Sequence, residues 1–167
     1  GGDTSASTHL YDDWYICDTT GSNNNDFMGA VKIETLLPDA AGDSSDFTPS
    51  AGSNYQNVDE VPIDTTTYNE SLATSGNKDL FNIDSLSAIS GNVKGVQVTS
   101  YAISTEGQVI TVEGLVKSSI TEDNAGTFYI GSDIYQPFSA VWETDPTLGG
   151  SWSVSNINTL QIGYEVS

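Results

Sequence analysis

Apolar and polar residues alternate along several short stretches of this chain, which is the pattern of β-strands with one buried face. The clearest alternation covers residues 94–104, with Val96 and Val98 in its apolar phase. A second alternating run covers residues 108–118, after a short turn at residues 105–107 that contains a glycine. Two such runs joined by a short turn predict an antiparallel β-hairpin, and we expect it at the centre of the fold.

Other short apolar runs are separated by segments rich in Gly, Ser, Asn and Asp, the residues that favour turns. Residues 27–37 alternate well and stop at Pro38, so they are predicted to form a strand. Residues 18–26 and 39–57 are predicted as loops because turn-forming residues dominate them. The remaining predicted strands are residues 9–17, 58–64, 65–72, 78–83, 127–130, 134–143 and 161–166.

One short helix is predicted near the C-terminus. Apolar residues recur at three-residue spacing within residues 152–160, and Ser151 or Ser153 can serve as the N-cap. About eight to ten short strands with so little helix predict an all-β fold, a β-sandwich of jelly-roll-like type. We expect residues 1–8 to form a flexible N-terminal arm and residues 9–167 to form a single β-sandwich domain.

Charge restricts the partners that this chain can bind. The chain has 23 acidic residues, four lysines and no arginine, which gives a formal net charge of −19. Binding to nucleic acid depends on clustered Lys and Arg, so nucleic acid is excluded as a partner, and an anionic membrane would repel the chain. The acidity favours solubility and opposes self-association at high local concentration.

Nucleophilic catalysis is not indicated by the sequence. The single histidine, His9, lies beside the small polar N-terminal segment, and the single cysteine, Cys17, has no basic neighbour to activate it. A glycoside hydrolase needs only two carboxylates, so a hydrolase stays an alternative. The acidic residues considered for such a pair are Glu106, Glu113, Glu143 and Asp145.

The first predicted loop is a candidate calcium site. Asp18, Asn23, Asn25 and Asp26 offer the hard oxygen ligands that calcium prefers, although the spacing is not that of an EF-hand. The same residue types also shape loops through side-chain to backbone hydrogen bonds, which is the alternative interpretation. The acidic run at residues 43–46 is a weaker candidate of the same kind. No other cofactor is indicated.

Aromatic side chains form another candidate surface, because flat rings beside Asp and Asn can bind sugars. Trp142 alternates with Val141 and Glu143, and we expect it to pack against the helix that follows Trp152.

Several dense segments occur in a fixed order along the chain. They are DDWYICDTTGSNNNDFMG at residues 12–29, NVDEVP at 57–62, TYNE at 67–70, GNKDL at 76–80, VKGVQV at 93–98 and WETDP at 142–146, followed by Trp152. In this order they resemble segments of a family of tailed-phage virion proteins. The resemblance spans nearly the whole chain.

The resemblance implies a non-enzymatic structural protein on the surface of a bacteriophage particle, either a tail-fibre or appendage component or a capsid decoration protein. It also implies other virion proteins as partners and a homo-oligomer, with a trimer favoured. The alternative is a carbohydrate-binding module that acts in host receptor recognition.

Overall fold

The computed structural model describes residues 15–17, 19–72, 74–87, 91–105, 107–131 and 134–167. The chain divides into two compact units, Gly1–Thr35 and Leu36–Ser167. None of the described residues of the first unit belongs to a helix or a strand. The predicted arm and most of the predicted strand at residues 9–17 lie outside the described residues, so both stay predictions.

Nine strands are present in the described part of the second unit, together with one short α-helix and one 3-10 turn at Asn54–Asn57. The strands are β1 Pro38–Ser45, β2 Thr48–Pro49, β3 Asn69–Glu70, β4 Lys78–Ile83, β5 Val96–Ala102, β6 Ile110–Ser118, β7 Thr121–Ile130, β8 Gln136–Trp142 and β9 Gln161–Val166. Helix α1 is Val154–Ile157. The strand order is β1-β4-β9-β6-β7 in a five-stranded sheet, with two-stranded sheets β2-β3 and β5-β8, and all pairs are antiparallel.

The five-stranded sheet and the β5-β8 sheet pack face to face, as the predicted all-β sandwich requires. Their shared core contains Val116 of β6, Val98 of β5 and Trp142 of β8. The segment around α1 adds Trp152, Ile157 and Leu160 to the same core, which confirms the predicted packing of Trp142. Full burial of each such apolar side chain contributes roughly 1.5–3 kcal/mol.

The predicted hairpin between the two strongest strands is wrong, although both strands exist. β5 pairs with β8 along its whole length, whereas β6 pairs with β7 on one side and β9 on the other. Because both edges of β6 are occupied, β5 cannot join it, and the connection between them crosses from one sheet to the other. Alternation shows which face of a strand is buried, but it does not identify the partner strand.

The predicted strand at residues 27–37 is also wrong, because these residues have no strand structure and Ile33 is exposed. The strand starts instead at Pro38 and continues to Ser45, through the first part of the stretch predicted to be a loop at residues 39–57. Since β1 is an edge strand of its sheet, a proline at its first position disrupts no ladder. The same predicted loop also contains β2 and the 3-10 turn.

The short segments before β4 differ in part from the prediction. Residues 58–64 have no strand structure, and the strand predicted at residues 65–72 is reduced to β3. The predicted strands at residues 78–83 and 161–166 are confirmed as β4 and β9. The helix is confirmed with Ser153 as its N-cap, whose side chain accepts a hydrogen bond from the Asn156 amide.

Candidate functional site

The predicted calcium residues lie in a run of bends in the first unit, with Asp18 outside the described residues. Asn25 donates through Nδ2 to the Gly21 carbonyl oxygen over 3.0 Å, and the Asp26 carboxylate accepts from the Phe27 amide over 2.6 Å. The Asn23 amide donates weakly to its neighbour Ser22 over 3.5 Å. Across the described ranges, no three His, Cys, Asp or Glu residues are grouped so that they could hold a metal. The calcium site stays a prediction.

The acidic run at residues 43–46 is not the open loop that the sequence predicted. Asp43 belongs to β1, and its carboxylate accepts from Lys117 Nζ over 2.6 Å and from Gln161 Nε2 over 3.1 Å. These contacts, with the hydrogen bond from Lys117 as the largest cause, lower the pKa of the Asp43 carboxyl. The ammonium group of Lys117 therefore compensates the negative charge of Asp43.

A buried polar cluster lies on the inner face of β4 and β9, where Asp79 stands directly opposite Tyr164. The Asp79 side chain is fully buried, and its carboxylate accepts from the Phe47 amide over 3.0 Å and from Asn54 Nδ2 over 2.6 Å. The Phe47 ring packs edge-on against the Tyr164 ring with centroids 5.0 Å apart. These contacts fix the segment that contains β2 and the 3-10 turn onto the sheet.

Three asparagines complete this cluster. Asn69 of β3 donates through Nδ2 to the Tyr164 hydroxyl over 3.0 Å and to the Asn54 carbonyl oxygen over 2.9 Å. Asn57 donates through Nδ2 to Asn69 Oδ1 over 3.0 Å. The cluster is a connected network of satisfied polar groups, which is the arrangement that makes buried polar residues tolerable.

Burial raises the pKa of the Asp79 carboxyl, and the hydrogen bonds from Asn54 and the backbone reduce this effect. Burial, followed by the nearby Asp79 charge, raises the pKa of the Tyr164 hydroxyl far above its ordinary value. A perturbed acid can indicate a catalytic site, but a general base must also reach a substrate. Asp79 is sealed from solvent, so this cluster holds the fold together and offers no reacting group.

A second buried carboxylate, Asp145, organises the turn between β8 and α1. Its Oδ1 accepts from the Thr147 amide over 2.9 Å, and its Oδ2 accepts from the Asn156 side chain. Burial alone would raise the pKa of Asp145, but the hydrogen bonds from the Asn156 side chain and from backbone amides lower it. Asp145 is fully buried, so it cannot serve as half of a glycosidase pair.

Two tryptophans are fixed beside this turn. Trp142 donates through Nε1 to the Asp123 carboxylate over 3.0 Å, and Trp152 donates through Nε1 to the Trp142 carbonyl oxygen over 3.0 Å. Both rings are buried, which leaves neither available as a sugar platform. Two exposed aromatic rings, Tyr101 and Tyr129, lie instead on the outer faces of the sandwich.

A cavity of about 260 Å³ lies between β1 and the 3-10 turn. Its lining residues are Ala41, Ser45, Gly52, Ser53, Asn54, Leu80 and Phe81. None of these side chains is titratable, so the cavity supplies neither an acid nor a base.

The outer face of the five-stranded sheet carries many charges, and we call it the charged face. It includes Lys78, Glu113, Lys117, Glu122 and Glu165, together with Asp43 at its edge. Lys78 Nζ lies 2.5 Å from Glu122, and Glu122 also faces Lys117 at 3.9 Å. These ion pairs extend across several strands.

The outer face of the β5-β8 sheet has no charged side chain, and we call it the uncharged face. Its six residues form three directly opposed pairs, and each of the six is exposed. The pairs are Gln97 with Val141, Thr99 with Ser139 and Tyr101 with Pro137. The Thr99 and Ser139 hydroxyl groups are hydrogen bonded to each other over 2.9 Å.

No family model, curated protein or solved structure matches the chain. No helix among the described residues is both long and apolar enough to span a bilayer.

Proposed function

We propose that this chain is a non-catalytic structural protein of a tailed-phage particle, displayed on the particle surface as a tail-fibre or appendage component or as a capsid decoration protein. One observation favours it above the others. The residues that carry the phage resemblance include those that hold the sandwich together, namely Asn57, Asp79, Trp142, Asp145 and Trp152. The segments that carry the resemblance therefore include residues that stabilise the fold, which supports a structural role.

The environments of the buried acids support a non-catalytic role. Asp79 and Asp145 are sealed and satisfied by hydrogen bonds, and Glu113 on the charged face accepts from Asn124 Nδ2 over 2.6 Å and from Thr127 Oγ1 over 3.2 Å. A working base or nucleophile needs an open position beside the substrate. These carboxylates serve the fold instead. The high negative charge keeps crowded copies soluble on a particle surface.

The test of this proposal is the composition of the particle. Phage particles from a culture that expresses this chain would be purified on a density gradient and digested, and peptides of this chain would be quantified by mass spectrometry. We expect a fixed copy number relative to the major capsid protein. Antibody labelling in electron microscopy then separates a head location from a tail location. A chain found in infected cells but missing from purified particles would contradict the proposal.

A carbohydrate-binding module for host receptor recognition is the second candidate, and one observation favours it. Tyr129 on β7 keeps 73 % of its surface exposed, on the same face as Glu113, Asn124 and Thr127. An exposed ring beside fixed hydrogen-bonding groups suits a sugar. A glycan array with the Tyr129→Ala variant tests it. Signal that Tyr129→Ala removes and Tyr101→Ala keeps supports this role, and an empty array contradicts it.

A further inference from the structure

The absence of charge on the uncharged face stands out against the composition of the whole chain. The net charge is −19 over 167 residues, yet six exposed and adjacent positions, residues 97, 99 and 101 with 137, 139 and 141, include no acid and no lysine. The inner sides of the same two strands are the core positions Val98, Phe138, Ala140 and Trp142. Within the described part of the second unit, no further layer covers the outer side of this sheet.

Electrostatic repulsion decides which surfaces two copies of such a chain can bring together. Contact through the charged face would oppose Glu113 and Glu165 of one copy to the same residues of the other. Charges of like sign at contact distance cost about 1 kcal/mol per pair even at the dielectric of water, and more when water is excluded. The six positions of the uncharged face add no such pair, and the nearest acid along β8, the exposed Glu143, lies just beyond the end of the strand. We propose that the uncharged face is the contact surface between two copies of this chain.

The chemistry of the face fits stacking of one sheet on another. Stacked sheets lie about 10 Å apart, which leaves room for side chains of the size of Thr, Ser and Val to interdigitate. Tyr101 and Pro137 at one end supply apolar area. The Thr99 hydroxyl accepts from Gln97 Nε2 over 3.1 Å and is hydrogen bonded to the Ser139 hydroxyl, so one of the two hydroxyl hydrogens is left to donate. When the faces stack, an acceptor on the second copy or a bridging water takes this hydrogen.

The size of the face sets the strength of the contact. Each strand has seven residues, so the face is about 23 Å long and roughly 10 Å wide at the usual strand spacing. A stable interface buries about 800 Å² on each partner, several times the plan area of this face. The contact is accordingly weak and reversible for free chains. It becomes significant where many copies are held close together, because attachment to a common body raises the effective concentration to the millimolar range.

Symmetry follows from the charge argument. Only when both copies contribute the uncharged face are both sides of the contact free of charge, so the contact is two-fold. It pairs copies in twos, and a trimer would require a second contact elsewhere. The inference depends on the charge and the fold alone, so it stands or falls independently of the phage assignment.

Sedimentation equilibrium of the full chain tests the proposal. Protein up to about 1 mM in 0.5 M salt is compared for the wild type and two variants that each add one negative charge, Ser139→Glu on the uncharged face and Thr127→Glu on the charged face. We expect a reversible monomer-dimer equilibrium for the wild type, weakened at least tenfold by Ser139→Glu and less than twofold by Thr127→Glu. Circular dichroism confirms that each variant is folded.

A charge swap keeps the test decisive if Ser139→Glu also perturbs the fold. Ser139→Glu and Ser139→Lys should each associate weakly alone and associate more strongly when mixed, because opposite charges then meet across the two-fold contact. A wild type that stays monomeric at 1 mM overturns the proposal. Equal weakening of self-association by Ser139→Glu and Thr127→Glu, or no gain on mixing, would show that two copies do not meet at the uncharged face. Either result overturns the proposal as well.

Discussion

The two outer faces of the sandwich differ in how they meet solvent. On the charged face, Lys78 and Lys117 keep only 26 % and 18 % of their side chains exposed and lie in ion pairs with acids from other strands. Leu80 and Leu115 alternate with these lysines on the same face and are nevertheless buried, at 1 % and 2 % exposure. The uncharged face has neither ion pairs nor buried residues of its own.

This difference shows that a charged outer face can pair its own charges and cover its own apolar residues without a second layer. The aliphatic stems of lysines can cover apolar surface while the ammonium groups stay paired and hydrated. The charged face therefore needs no further partner to cover its leucines. On the uncharged face the Thr99 and Ser139 hydroxyl groups are hydrogen bonded to each other with one donor left over, and the apolar area is open, which is the condition under which a second layer can bind. Four predictions test this contrast, beginning with the largest expected effect.

Gly163→Ala should be the most damaging single change on the charged face. A Cβ at this position would lie 1.9 Å from the Asp79 carbonyl oxygen, which is backbone and cannot move aside. We expect a loss of about 3 kcal/mol or more in the free energy of unfolding, measured by urea denaturation. Gly95→Ala, next to β5, is the control. Its Cβ would lie 3.2 Å from the Trp142 carbonyl oxygen, so a much smaller loss is expected. Similar losses would contradict the tight packing of the charged face.

Lys78→Met should show that the ion pairs of the charged face contribute to stability. The change keeps the aliphatic stem but leaves Glu122 and the facing Glu165 without this ammonium group. We expect a loss of about 1 kcal/mol at low ionic strength that shrinks in 0.5 M salt. Lys94→Met removes the same charge away from the charged face and serves as the control. A loss that does not change with salt would point to packing instead of ion pairing.

Lowering the pH should affect the charged face and the uncharged face differently. The pKa of Asp43 is lowered in the folded state, so its contribution to stability is present above its unfolded pKa and is lost as the pH falls through its folded pKa. Asp145 behaves in the same way, whereas the raised pKa of Asp79 acts in the opposite direction. At about pH 4.5, close to the isoelectric point of about 4.1, the net charge is smaller while the ion pair between Asp43 and Lys117 persists.

Self-association through the uncharged face should therefore strengthen several-fold between pH 7 and about pH 4.5 for the wild type, as measured by sedimentation. The Ser139→Glu variant should gain much less over the same range. Equal gains in both proteins would mean that acid drives association through some other surface.

Thr99→Val should have the smallest effect. It removes the hydrogen bond to Ser139 on an exposed face, so the free energy of unfolding should change by less than about 0.5 kcal/mol. Self-association should be kept or strengthened, because the change adds apolar area to the proposed contact. Weaker association of a folded Thr99→Val chain would show that the hydroxyl pair itself takes part in the contact.

The positions of the strands could be predicted from the sequence better than their partners. Residues 161–166 alternate and residues 78–83 follow a Gly-Asn turn, and both are strands with the predicted limits. The pairing of β5 with β8 could not be deduced, since alternation describes one strand and pairing depends on which edges remain free. Residues 27–37 show the reverse error, because alternation without burial does not produce a strand.

The buried network was only partly visible in the sequence. Asp79 falls in the same phase as Phe81 and Ile83, and an acid among inward-facing apolar residues is a signal for a buried carboxylate. Asn54 and Asn57 come from the 3-10 turn and Asn69 from the two-residue strand β3, and segments this short have no periodicity that indicates which way a side chain points. The uncharged face could not be recognised either, because its two strands are 40 residues apart at Thr99 and Ser139 and become neighbours only through the fold.

Site-specific cross-linking tests most directly whether copies meet at the uncharged face. Ser139→Cys and Thr127→Cys would be made in a Cys17→Ser background and treated, at about 1 mM protein in 0.5 M salt, with a bis-maleimide that spans about 10 Å, the separation of stacked sheets. The account predicts rapid formation of a covalent dimer with Ser139→Cys and little with Thr127→Cys. Equal yields, or a higher yield with Thr127→Cys, would contradict it.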